Sequence, residues 1–201
     1  PADPSLLREI GTARSARLTR AQEMVHRLAR DYPITWELVQ EHAAEGATIG
    51  RPHLADTLVT LGVVEDRSAA FAHILTGRSK YYVPHYAPDP AIAVELIRSA
   101  GGVPVFAHPR AVTRGRVVGV EVIEEMIDAG LAGLEADHRD NPEEERSWLR
   151  EVAARHDLFV TGSSDYHGTG KPNLLGEFST GEDVLAAVSY THLTLPTKRI
   201  V

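Results

Sequence analysis

The chain has 201 residues, a net charge of −7 and no cysteine. That length suffices for one large domain or two small ones, and no apolar run approaches the ~20 residues of a membrane span. The acidic balance argues against a basic field for stable DNA binding, and the missing thiols leave His and carboxylate as metal ligands. No signal peptide is visible, so a cytoplasmic location is expected, and a start at Pro1 rather than Met suggests that the true N-terminus is missing.

The first third reads as helical. Leu7, Leu18, Ala21, Val25 and Leu28 make a loose apolar stripe, with Arg8, Arg14, Arg17, Arg20, Arg27 and Arg30 around it. Such a basic run is either a solvated helix face or a surface for an acidic partner or RNA. Asp31-Tyr32-Pro33 breaks the helix, and Thr35 can cap a short second one carrying Trp36, Leu38 and Val39. Pro52 fits the first turn of a third helix, with Leu54, Leu58 and Leu61 inward and Gly62 as its stop. Asp66 or Ser68 can start a fourth, which buries Phe71, Ile74 and Leu75 and ends at Gly77. Four short helices without a strand make residues 1–80 a small helical module.

The pattern changes near residue 80. Lys80-Tyr81-Tyr82-Val83-Pro84 reads as extended, and Asp89-Pro90 opens a helix over 92–100 that Gly101-Gly102 stops. A strand over 103–107, a helix near 117–129, a strand over 133–136, a helix over 142–156 and a strand over 158–162 follow. Asn141-Pro142 with Glu143, Glu144 and Glu145 is a strong helix opening, because acidic groups suit the N-terminal dipole. This alternation implies parallel strands with right-handed crossovers, an α/β unit over 81–188. Three strands cannot close a barrel, so this half looks incomplete.

All three strands release ionisable groups at their C-terminal ends, the edge where parallel α/β proteins collect chemistry. The first ends in His108-Pro109, the second in Asp137-His138, and the third in Gly162-Ser163-Ser164-Asp165-Tyr166-His167. Asp165 and His167, two apart in extended chain, can both reach a metal ion. The alternative is a loop in which Asp165 caps the next turn and His167 is solvated.

Ala107-His108-Pro109, Gly133-Leu134-Glu135 and the stretch from Gly162 to His167 resemble, in that order, the late motifs of the polymerase and histidinol phosphatase (PHP) domain. Gly168-Thr169-Gly170-Lys171-Pro172-Asn173 extends the likeness, which covers roughly residues 5–187. Arg51-Pro52-His53-Leu54-Ala55 and Lys80-Tyr81-Tyr82-Val83 look like the helical insertion of its nucleotide-phosphatase branch. The resemblance implies the C-terminal part of a distorted seven-stranded (β/α) barrel with an all-α insertion. It also implies up to three divalent metals, manganese first, with zinc or iron as alternatives. Family members hydrolyse phosphoesters, in this branch nucleoside phosphates such as 3′,5′-bisphosphates or the 5′ ends of short RNA.

Position-matching makes His108, Asp165 and His167 metal ligands, the last two also catalytic, and Glu135 a structural support. The family's opening His-x-His, a following Asp, a Thr-Asp-His segment and a bridging Glu have no counterpart in the chain. The implied mechanism is attack on phosphorus by a metal-activated water, and ligating histidines must be neutral, so metal affinity should fall in acid. Arg51, His53 and Lys80 are candidates for gripping substrate phosphate, Arg51 by its bidentate fork, against the alternative of a solvated helix start and loop. His138 is a substrate contact or an exposed loop residue. Two other functions stay open: a non-catalytic PHP-like module assisting a polymerase, and a helical module binding RNA or an acidic partner. After Val188 the chain has neither a helix period nor the family's final segment. It resembles translated adapter sequence, so 189–201 is expected to be a non-native tail that packs poorly.

Overall fold

The computed structural model describes residues 3–43, 47–112, 117–166 and 172–194, with side chains as far as 189. They fall into two compact units. One is Leu7–Pro88, and the other runs from Asp89 onward together with the first residues of the chain.

In the helical unit, α1 (Pro4–Leu28) is one long helix of 25 residues rather than a short one. At 1.5 Å per residue it spans about 38 Å, more than a small core can cover. Its buried residues are accordingly confined to the last turns, at Ala21, Met24, Val25 and Leu28. Leu7 and Leu18, members of the same apolar stripe, are 53% and 41% exposed. Thr35 caps α2 (Trp36–Glu41), its Oγ1 accepting the Leu38 N–H at 3.4 Å. Pro52 lies in the first turn of α3 (Arg51–Thr60), and the chain reverses at Gly62, whose φ of 68° favours glycine. Asp66 caps α4 (Arg67–Ala69), which runs on through a wider π turn over 70–74. Met24, Leu28, Ile34, Leu54, Leu58 and Leu75 fill the core of this unit.

The segment expected to be extended from Lys80 begins only at Tyr82, because the Tyr82 N–H closes a turn onto the Ser79 carbonyl at 3.0 Å. Two arginines of α1 then hold it. Arg27 Nη1 donates to the Tyr82 carbonyl at 2.8 Å and Arg20 Nε to that of Val83 at 2.6 Å.

The second unit alternates as expected: α5 (Pro90–Ser99), β1 (Val105–Phe106), α6 (Val120–Asp128), β2 (Gly133–Asp137), α7 (Glu143–Arg155), β3 (Phe159–Gly162) and α8 (Glu182–Thr194). Asp89 opens α5 by accepting the N–H groups of Ala91 and Ile92. The strands form a parallel sheet in the order β1-β2-β3, with Val105 opposite Gly133 and Gly133 opposite Phe159. Strand β1 is shorter than its apolar run, since Pro104 has no N–H to give the ladder. Leu134 and Ala136 of β2 point to a core with Val94, Ile123, Leu149 and Ala153. Glu135, between them, takes the opposite face. The β2–β3 register slips between Glu135 and Asp137, bringing Asp137 beside Gly162. A Cβ on Gly162 would lie 2.9 Å from that of Asp137, so this close crossing needs glycine.

The expected break at Ser189 is absent. Helix α8 continues to Thr194, because nothing in Tyr190-Thr191-His192-Leu193-Thr194 stops a helix before Pro196. Residues 195–201 lie outside the described residues.

Two predictions follow from this packing. Leu134→Ala should lower unfolding free energy by about 2–5 kcal/mol, whereas Leu175→Ala, at a residue 80% exposed, should change it little in urea titrations. The second concerns Tyr81, which is buried and donates from its hydroxyl to Asp31 Oδ2 at 2.8 Å, with Lys80 Nζ 2.9 Å from that oxygen. Burial, then the bond to Asp31, pushes its phenol up to about 12. A raised value favours the protonated form in the fold. The stabilisation is therefore complete below the unfolded value of about 10 and is lost as pH rises towards 12. In an alkaline titration followed by ultraviolet absorbance, Tyr81→Phe should remove the step near pH 12.

Candidate functional site

The site is built from the exits of the three strands. Past β1 the chain turns at His108-Pro109, and His108 takes a left-handed φ of 33°. Such a backbone costs of order 1–3 kcal/mol and needs support from its surroundings. The support is Glu135 of β2, whose Oε2 accepts the His108 N–H at 2.9 Å. Next in chain, Arg110 grips Glu145 in the first turn of α7 through two parallel bonds of 2.7 and 2.9 Å, and its guanidinium lies 5.3 Å from the Trp148 ring. The pair raises the Arg110 pKa and lowers that of Glu145, each chiefly through the hydrogen bond. A half-buried bidentate pair of this kind fixes the β1 exit against α7.

Past β2, Asn141 is fully buried. Helix α7 does start at Glu143, but Asn141 does not cap it. Its Nδ2 donates to the carbonyls of Glu135 and Ala136 at 2.9 and 3.0 Å, and its Oδ1 accepts the Arg110 N–H at 3.2 Å. This turn carries His138 inward to zero exposure, which overturns its reading as an exposed loop histidine. The Asp140 N–H donates to His138 Nδ1 at 3.0 Å. A neutral ring that accepts at Nδ1 keeps its proton on Nε2, so Nε2 is a donor rather than a metal ligand.

Past β3, the Thr180 hydroxyl bridges the N–H and carbonyl of Gly162 at 3.1 and 3.0 Å. Ser164 Oγ donates to the Phe178 carbonyl, and the buried Asn173 amide donates to the Ser164 carbonyl at 2.7 Å. Ser163 Oγ accepts the Asp165 N–H at 3.1 Å, and Asp165 is also left-handed, with a φ of 46°.

These three exits converge. The His108 and His138 rings lie 5.2 Å apart between centroids, and His138 Nε2 is 3.9 Å from Asp165 Oδ2. His138 thus lies beside both His108 and Asp165. His167 lies outside the described residues. Among the described residues, no group of three or more His, Asp or Glu is disposed to hold a metal ion.

The three expected phosphate grips belong to the helical unit and have separate partners. His53 Nδ1 accepts the Gly50 N–H at 3.1 Å, closing the start of α3. Lys80 pairs with Asp31 and lies 5.0 Å over the Tyr81 ring. Arg51 donates from Nη2 to the Leu75 carbonyl and packs 4.9 Å from the Phe71 ring, while its buried Nε has no partner among the described residues. Burial, then the charge of Arg20, lowers the Arg51 pKa. Asn141, Arg110, Glu145 and Asn173 were not singled out as site residues. For Asn141 the signal was present but masked, because Asn-Pro before three glutamates reads as a helix cap.

No family model matches the chain. Over 172 residues, 85% of the chain, it is 30% identical to a 3′,5′-nucleoside bisphosphate phosphatase from Chromobacterium violaceum, of which it spans 60%. It is 31% identical over 123 residues to a 5′-3′ exoribonuclease from Haemophilus influenzae, covering 59% of the chain and 43% of that protein. Among solved structures, a Bifidobacterium adolescentis protein described provisionally as a metal-dependent phosphoesterase superposes with a TM-score of 0.91 at 45% identity. That match covers 95% of the chain and 68% of the Bifidobacterium protein.

Asn141→Ala should cost at least about 2 kcal/mol in urea unfolding, because it strands one buried N–H and two carbonyls. A loss under about half a kcal/mol would show that this amide does not hold the exits together.

Proposed function

The chain belongs to the phosphoesterase family of that Bifidobacterium protein, and from that premise we propose that it is the C-terminal part of the barrel, with the helical insertion, of a PHP-type, divalent-metal-dependent phosphoesterase. Its proposed substrates are nucleoside 3′,5′-bisphosphates, by similarity to the Chromobacterium relative. The 5′ end of a short RNA is the second reading, favoured by the likeness to the Haemophilus exoribonuclease. The observation that carries the proposal is the meeting of His108, His138 and Asp165 at one sheet edge, two of them on left-handed backbone.

The donor set fits a hard or borderline divalent metal such as Mn²⁺, being imidazole and carboxylate without thiolate. His108 and Asp165 would hold it, with His167 assigned by its place in the same motif and further ligands from outside the described residues. When bound, such ions neutralise phosphate oxygens and lower the pKa of a coordinated water. The residues of this chain orient and donate. Glu135 holds the His108 backbone, and His138 keeps a proton on Nε2 facing the Asp165 carboxylate. That N–H would supply a hydrogen-bond donor beside the Asp165 carboxylate when the site closes on a phosphate. Arg51, whose buried Nε has no partner among the described residues, is the favoured substrate grip of the three.

The test uses a chain as long as the Chromobacterium relative that contains this sequence, assayed for phosphate release from adenosine 3′,5′-bisphosphate with Mn²⁺. Asp165→Asn should reduce turnover by at least about 1,000-fold, and Arg51→Ala should raise KM more than it lowers kcat. The 201-residue chain by itself should release no phosphate. Activity that survives Asp165→Asn would remove the metal role.

A further inference from the structure

The segment that Arg20 and Arg27 hold against α1 borders an open cavity of about 390 Å³ within the helical unit. Its lining includes Ala16, Arg20 and Glu23 from one face of α1, Thr19 beside them, and His85 and Tyr86 from the segment. Arg20 is fixed in place. Its Nε donates to the Val83 carbonyl at 2.6 Å, and its guanidinium lies 5.1 Å from the Tyr82 ring. Both terminal nitrogens of the fork remain without a hydrogen bond among the described residues. Arg17 stands one turn earlier on the same helix and is exposed.

The charge around the cavity is unbalanced. His85 is held below the usual imidazole range by partial burial and then by Arg20, Arg17 and Arg51. The carboxylate in the lining, Glu23, is engaged by Arg27 at 2.8 Å, with His26 at 3.8 Å. Glu9, beside the Tyr86 hydroxyl, raises the Tyr86 pKa, and its buried Oε1 has no partner among the described residues. An immobilised guanidinium fork with free donors, beside the exposed Arg17 and a glutamate already paired with Arg27, is an arrangement that can bind phosphate oxygens.

We propose that this cavity is a metal-independent phosphate-binding site. Arg20 supplies the fork, with Thr19, Arg17 and His85 at the rim, and the ligand is a phosphate group of a small nucleotide. The choice of a nucleotide rests on the phosphoesterase reading; the binding of phosphate does not. The site lies wholly in the helical unit and would take a phosphate other than the one hydrolysed.

Calorimetry of the 201-residue chain in EDTA tests this, with inorganic phosphate, adenosine and adenosine 3′,5′-bisphosphate as probes. The bisphosphate should bind, inorganic phosphate more weakly, and adenosine without phosphate not measurably. Arg20→Ala should weaken bisphosphate binding at least tenfold, and Arg20→Lys should recover only part, since it restores charge without the fork. Because Arg20 also holds the 82–86 segment, Arg17→Ala and His85→Ala at exposed positions provide the cleaner test, each weakening binding about threefold. Arg30→Ala, at an exposed position away from this cavity's lining, should have no effect. No binding in EDTA, or binding indifferent to Arg17, Arg20 and His85, would overturn the site. Either result would leave Mn²⁺-dependent turnover of the longer chain untouched. Conversely, binding here with no turnover there would sink only the phosphoesterase reading.

Discussion

The strand exits depend on one buried carboxamide. Asn141 makes three hydrogen bonds, two to the last turns of β2 and one to the backbone of the residue two past His108. An amide presents donors and an acceptor in fixed opposition, so it can bind one exit with Nδ2 and another with Oδ1. No apolar residue of that size does this, and Asp would offer acceptors where the two carbonyls need a donor. The burial of His138 follows from the same turn, since its carbonyl accepts the Asn141 N–H at 3.1 Å. Glu135 adds a second tie from β2 to β1, so both links begin on the central strand.

Those ties explain how two left-handed residues persist a few ångströms from a common neighbour. His108 and Asp165 each carry backbone strain of order 1–3 kcal/mol, which an isolated loop would relax. At each, the surroundings over-determine the turn. At His108 these are the Glu135 bond and the Arg110–Glu145 clamp; at Asp165, the Ser163 hydroxyl and the Asn173 bond to Ser164. Strain held this firmly turns side chains away from the direction the strands would give them. The rings of His108 and His138 and the carboxylate of Asp165 therefore meet, although their Cα atoms leave three different strands.

Much of this was legible in the sequence, and what was not shares a cause. The αβαβ order, the Asp89 and Thr35 caps and the strand-end positions of His108 and Asp165 follow from local patterns of period, proline and glycine. The misread features depend on tertiary partners. Asn141 looked like a cap because Asn-Pro-Glu-Glu-Glu is a helix start in any context, while its inward turn is set by carbonyls of β2. His138 looked exposed because Asp137 to Asn141 is polar throughout. Leu7 and Leu18 obeyed the helix period, yet α1 outruns the core that could cover it. The stretch after Val188 reads as lacking a helix period, whereas α8 runs on to Thr194.

Net charge was the least informative number, and the reason bears on any phosphorylated ligand. At −7 the whole chain repels an anion, yet at physiological salt a field between exposed charges decays within about 8 Å. What a phosphate meets at contact is therefore the local set of groups. Along α1 that set is five arginines against two glutamates, one of which is paired with Arg27. The carboxylates that make the chain acidic are concentrated elsewhere, as in the three glutamates opening α7, where they answer a helix dipole and the Arg110 and Arg146 side chains. Acidic protein and anionic ligand are thus compatible, because the bound segment leaves an arginine fork of helix α1 open.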